Sequence, residues 1–146
     1  MPFEELRYHG RLRQYWDDLR GKNPFPHENQ VNPDEIEDIW SSCFLISIDD
    51  VTRRIGYRYS YMGQDLLEAY GSDPGQDSTS HLVSCTDARM VQKFDEVVKS
   101  KMPVTDEAEF VNSKNLNIRY RTCILPLDTA NGEVTHLLGC MRWKMY

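Results

Sequence analysis

The chain reads as an α+β protein. The expected fold is a five-stranded antiparallel sheet with a helical insertion on one face and an N-terminal helix. Three observations predict it. The stretch Ile55 to Gly71, IGYRYSYMGQDLLEAYG, begins with period-two alternation: Ile55, Tyr57, Tyr59 and Tyr61 on one side, Gly56, Arg58, Ser60 and Met62 on the other. Gly63 breaks the alternation, Leu66, Leu67 and Tyr70 follow at helical spacing, and Gly71 is a natural helix stop. Asp87 to Lys101 then carries Met90, Val91, Phe94, Val97 and Val98 as one apolar stripe. After Pro103 come strand-like runs separated only by turn residues. Strands, helices, strands in that order suit a sheet whose second and third strands are joined over one face.

Taken from the N-terminus, residues 3–20 form an amphipathic helix. Leu12, Tyr15, Trp16 and Leu19 fall at i, i+3, i+4 and i+7, and Arg11, Arg13, Asp17, Asp18 and Arg20 fill the other side. Gly21 ends it, and Gly10 inside it costs about 1 kcal/mol against alanine. The apolar stripe packs either on its own domain or on a second copy. Residues 22–33, KNPFPHENQVNP, are a connector whose prolines prevent regular structure, with His27 read as solvated. Asn32 and Pro33 open a short helix over 33–40. Cys43 to Asp49 is an almost continuous apolar run, suited to a strand covered on both faces and turned back at Asp49-Asp50 into the strand at Ile55.

Beyond Gly71, residues 72–85 read as a polar loop with one helical turn near His81, and Thr86 or Asp87 caps the long helix. The last three strands are Val104 to Val111, Ile118 to Leu127 and Val134 to Trp143. Asn112 to Asn115 serves one hairpin and Asn131-Gly132 the other.

Composition bounds the function. With 146 residues, 27% charged and only seven prolines, the chain is one ordered domain. A net charge of -6 argues against nucleic-acid binding, which needs a basic face. No apolar run approaches the roughly 20 residues that span a bilayer. The N-terminus lacks the apolar core of a secretory signal, so the expected compartment is the cytoplasm. Cys43, Cys85, Cys123 and Cys140 form no CxxC pair and have no histidine at metal-ligand spacing; they read as reduced, small hydrophobes.

Four stretches together resemble a known family: YWDDLRG with its proline-rich link; NPDEIEDIW leading into CFLISID; IGYRYSYMGQDLLEAYGSDPGQD; and CILPLDTANGEVTHLLGCM. In order and spacing they are similar to the PAS domain, and more closely to the small stand-alone PAS family of alphaproteobacteria. The resemblance implies residues 1–32 as N-terminal helix and connector and 33–146 as the PAS-like domain. It also implies sensing, protein interaction and regulation rather than catalysis. The segment STSHLVSC departs from the family pattern.

Candidate site residues follow. Tyr57, Tyr59, Tyr61, Leu66, Tyr70, Phe94 and Tyr120, with His81, either line a ligand cavity between sheet and helices or, the rings apart from His81, fill the core. His81 is the haem candidate, since some PAS domains bind haem through a histidine on the helical side. The cofactor is open, with none the simplest expectation. The cysteine signature of flavin-binding light sensors, NCRFLQ-like, is absent. Cys85 and His81, four apart, lack an orienting group, so no catalytic residue is assigned. There is neither a GxxxxGK loop nor an HExxH motif, and no metal site is assigned. The leading function is a sensory or regulatory module acting through a signalling protein partner, with a small molecule as a further candidate. A homodimer through Leu12, Tyr15, Trp16 and Leu19 is expected. The alternatives are a haem- or metabolite-binding sensor and a small enzyme with a cone-like pocket. The insertion Gly63 to Cys85 is the expected responsive lid, with residues 71–82 exchanging amide hydrogens faster than their flanks.

Overall fold

The computed structural model describes residues 3–51, 54–71, 88–128 and 133–146. Helix α1 is Phe3–Arg20, followed by 3-10 turns at Glu28–Gln30, Pro33–Ile36 and Trp40–Ser42. Strands β1 (Cys43–Val51) and β2 (Arg54–Met62) lead into helix α2 (Gln64–Ala69). Helix α3 (Ala88–Ser100) precedes β3 (Val104–Val111), β4 (Asn117–Asp128) and β5 (Val134–Met145). The five strands form one sheet in the order β2-β1-β5-β4-β3. Every neighbouring pair is antiparallel. The first and last strands of the chain, β1 and β5, therefore pair inside the sheet, from Cys43↔Cys140 to Ser47↔His136.

Alternation along β4 sets the layers. Tyr120 turns its hydroxyl to Met90 of α3. Arg121 and Cys123 face a cleft walled by His9, Gly10 and Arg13 of α1. Helices α1 and α3 thus cover opposite faces, because adjacent strand residues point to opposite sides. The connector closes one end. Asp128 donates its N–H to the Pro26 carbonyl at 3.0 Å, and His27 forms a parallel bridge with Asp128.

Four expectations change. The turn expected to begin at Asp49-Asp50 does not begin there: ladder pairing continues through Asp49↔Gly56 and Asp50↔Ile55, and β1 runs on to Val51. The helix read over 33–40 is instead two separate 3-10 turns, Pro33–Ile36 and Trp40–Ser42. Asn32 caps the first as expected, accepting from the Asp34 N–H at 3.1 Å, but too few residues follow to propagate an α-helix. His27 is not simply solvated: its Nδ1 meets the buried Asp128 carboxylate. Tyr61 does not share the side of Tyr57 and Tyr59. The β1–β2 register slips between Leu45 and Ile46, so Tyr59 faces Ile46 while Tyr61 faces Leu45. A bulge of this kind moves later side chains to the other face.

Turn chemistry expected at Asn112 to Asn115 is present. Asn112 Oδ1 accepts from the N–H groups of Lys114 and Leu116 at 2.9 and 3.0 Å. Its Nδ2 donates to the Ala69 carbonyl at 3.1 Å, fastening the β3–β4 turn to the end of α2. Asn115 takes φ 63, a left-handed conformation that asparagine tolerates. The reversal at Asn131-Gly132 and the cap at Thr86 or Asp87 lie outside the described residues.

Candidate functional site

The interior between the sheet and α3 is built around Phe44. Its ring packs over Gly139, where an added Cβ would lie 2.2 Å from the ring. Phe94 and Tyr59 close on it with centroids at 6.2 and 6.0 Å, and Tyr57 packs on Phe94 at 5.2 Å. The Tyr57 hydroxyl donates to Asp95 Oδ1 at 2.5 Å. Burial first, and then the Asp95 carboxylate, push the Tyr57 phenol well above its ordinary pKa. A second group forms around Phe110, with Tyr70 stacked at 5.1 Å and Tyr120 edge-on at 5.8 Å.

The structure thus gathers Tyr57, Tyr59 and Phe94 in one cluster and Tyr70 and Tyr120 in another. Leu66 is wholly buried beside them. Tyr61 stands apart, stacked on Trp40 at 4.2 Å and donating to the Trp40 carbonyl at 2.9 Å. His81 and Cys85 lie outside the described residues, as does most of the segment expected to act as a lid. In the described part these aromatic rings pack on one another. Phe44 and Phe110, the centres of the two clusters, were not singled out by sequence reasoning. Gly139 inside LLGCM was the available signal, since a strand glycine often marks a close approach.

The apolar stripe of α1 is used within the chain. Leu12 is wholly buried, Tyr15 and Trp16 nearly so, and Leu19 packs against the same core. Trp16 Nε1 donates to the Pro126 carbonyl at 2.9 Å. The Tyr15 hydroxyl accepts from the Asn32 N–H at 2.8 Å. These side chains are therefore covered by their own sheet and connector, and the premise of an apolar face left for a second copy does not hold for them.

Three thiols line up across the sheet, Cys43 opposite Cys140 and Cys140 opposite Cys123. All three are free and buried. Burial pushes the Cys123 thiol up to about 11 and the other two higher, so none is a ready nucleophile at neutral pH. Among the described residues no group of three or more His, Cys, Asp or Glu side chains could hold a metal ion. No described helix is long and apolar enough to cross a membrane.

Two surface features stand out. The first is a cleft of about 690 Å³ between α1 and the outer face of β3 and β4, walled by His9, Gly10, Arg13, Glu107, Arg121 and Cys123. The second is a set of exposed apolar side chains at one end of the sheet. Val111, Leu116, Met145 and Tyr146 are 58%, 40%, 57% and 57% exposed. Alternation splits them between faces: Val111 and Tyr146, both next to Asn117 of β4, lie on the α1 side with Arg119, whereas Met145, opposite Ile118, lies on the α3 side. Arg119 stacks over the Tyr146 ring at 4.9 Å and pairs across the strand with Lys144.

A sheet in the order 2-1-5-4-3 with helices inserted between its second and third strands defines a small α+β module. Residues 7–142 match the PAS domain family, and the chain belongs to it. The match begins inside α1. No curated protein sequence matches. Among solved structures, a light-oxygen-voltage domain described with a flavin analogue is 16% identical. Its TM-score is 0.51, over 75% of this chain and 82% of that one. The PAS domain of the fruit-fly ELK potassium channel is 14% identical, with TM-score 0.50 over 80% of this chain and 99% of that one. At such identities the likeness is one of fold.

Proposed function

We propose that this PAS domain is a cytoplasmic regulatory module that acts through contact with another protein, not through haem or flavin held between sheet and helices. The observation that carries the reading is the apolar end of the sheet. Val111 and Tyr146 stand exposed on one face there beside the exposed Leu116 of the turn, whereas the described interior is packed with rings. Contiguous exposed apolar patches mark interaction surfaces. Lys114, Arg119 and Lys144 lie beside this one, so a partner with an apolar centre and an acidic rim fits it. A homodimer, expected from the sequence, would use this end rather than the buried stripe of α1.

The test compares the wild-type chain with a Val111→Asp/Tyr146→Asp variant. The expected result is association, with a second copy or a captured partner, that the variant loses while keeping its melting temperature. Equal association of both proteins would refute the assignment of this surface. A Soret or flavin band in freshly purified protein would refute the reading of the interior.

A further inference from the structure

We propose that the cleft between α1 and the outer face of β3–β4 is a binding site for a small organic anion, a carboxylate carried on a flat apolar body. It lies on the opposite side of the sheet from the aromatic interior and does not depend on the interaction surface proposed above.

Size and shape come first. The cleft measures about 690 Å³, within the range of roughly 300–1,000 Å³ typical of small-molecule sites. It lies between α1, which docks over β4 and β5 and buries Leu12 and Trp16, and the edge strand β3. Gly10 lies in that wall. A Cβ built on Gly10 would meet nothing within 4 Å, so no contact inside the chain requires a glycine there. Glycine in a helix interior is unfavourable relative to alanine, and this one leaves bare backbone facing open space. An occupant lying flat against the helix is the approach that only glycine permits.

Charge gives the class of ligand. The whole chain carries -6, yet the lining of this cleft includes two arginines, Arg13 and Arg121, with His9, alongside the carboxylates Asp106 and Glu107. Asp106 is already engaged by Arg89 of α3, at 2.7 and 2.9 Å. Both cleft guanidinium groups are held in place. Arg13 is fixed by Asp17 at 3.4 Å and by the Trp16 ring at 5.3 Å, and Arg121 by Glu107 at 3.1 Å. Positioned guanidinium groups grip a carboxylate in a planar, two-pronged geometry. The floor is Cys123, a thiol kept protonated and apolar by its burial. A charged rim over an apolar floor selects an anion with an apolar body.

Anilinonaphthalene sulfonate, a fluorescent aromatic anion, is the probe. The expected result is saturable binding to the wild-type chain, with naphthoate displacing the dye and its neutral counterpart naphthalenemethanol failing to do so. Gly10→Leu fills the cleft and Arg121→Gln removes one grip. Each should weaken dye binding by about tenfold or more, and Gly10→Leu should melt no lower than wild type. Val111→Asp, at the far end of β3 and outside the cleft lining, should bind the dye as wild type does. The proposal is overturned by wild-type affinity in both cleft variants, by loss of the signal in Val111→Asp alone, by equal displacement by the acid and the alcohol, or by no binding at all.

Discussion

Gly139→Ala tests how the interior is filled. The added methyl would sit 2.2 Å from the Phe44 ring, and ordinary contact begins at 3.4 Å, so ring and strand must part by about 1.2 Å. The ring has nowhere to go, since Phe44 is wholly buried between Tyr59 and Phe94. Overpacking of this kind costs about 1–3 kcal/mol. Alanine recovers about 0.4–1 kcal/mol by narrowing the unfolded ensemble. The net expected loss is about 1–2 kcal/mol, read as a lower urea midpoint at unchanged slope. Phe44→Leu alone leaves a cavity and also destabilises. Combined with Gly139→Ala, the smaller side chain makes room for the methyl, so the double variant should be more stable than the two single losses predict. The interaction energy should exceed about 0.5 kcal/mol, the usual error of additivity for independent sites. A neutral Gly139→Ala, or strict additivity in the cycle, would mean that the space beneath α3 is open, and would return the aromatic residues to the role of cavity lining.

Trp16→Ala should cost about 3–5 kcal/mol, because it empties a buried site and strands the Pro126 carbonyl, and thermal melting followed by circular dichroism checks it. A loss below about 1 kcal/mol would show that α1 is not part of the core. Alkaline stability should depend on Tyr61, whose phenol burial pushes from 10.0 to about 12. Folding favours the neutral phenol, so its contribution is complete below pH 10 and is lost as pH rises through 12. Tyr61→Phe should therefore flatten the fall in melting temperature across that window, and an unchanged slope would count against it. In a Cys85→Ser background, Cys43, Cys123 and Cys140 should label with a thiol-reactive dye only on unfolding. Rapid labelling in native buffer would show that this row of thiols is accessible.

Local patterns wrote most of the elements into the chain. The bounds of α1 and β3 were legible from the stripe ending at Gly21 and from the run between Pro103 and Asn112. The other strands extend one or two residues beyond the runs read from sequence, since ladder pairing continues past the point where side chains signal it. Even the acidic β3 was readable, and the structure explains its charges: Glu107 and Glu109 face Arg121 and Arg119 across an edge of the sheet.

What sequence alone left undecided depends on contacts between distant residues. The stripe Leu12, Tyr15 and Trp16 has the same periodicity whether it covers its own sheet or a partner, and only the docking of Trp16 on Pro126 chooses. Tyr61 continues a perfect alternation with Tyr57 and Tyr59, yet a register slip opposite Leu45 sends it to Trp40. His27 looks like any histidine in a polar connector until the chain end of β4 brings Asp128 to it. Periodicity fixes which residues share a face of their own element, because that follows from backbone geometry alone. Which face is covered, and by what, is set by packing across more than a hundred residues of chain, as between Trp16 and Pro126, and that appears only in three dimensions.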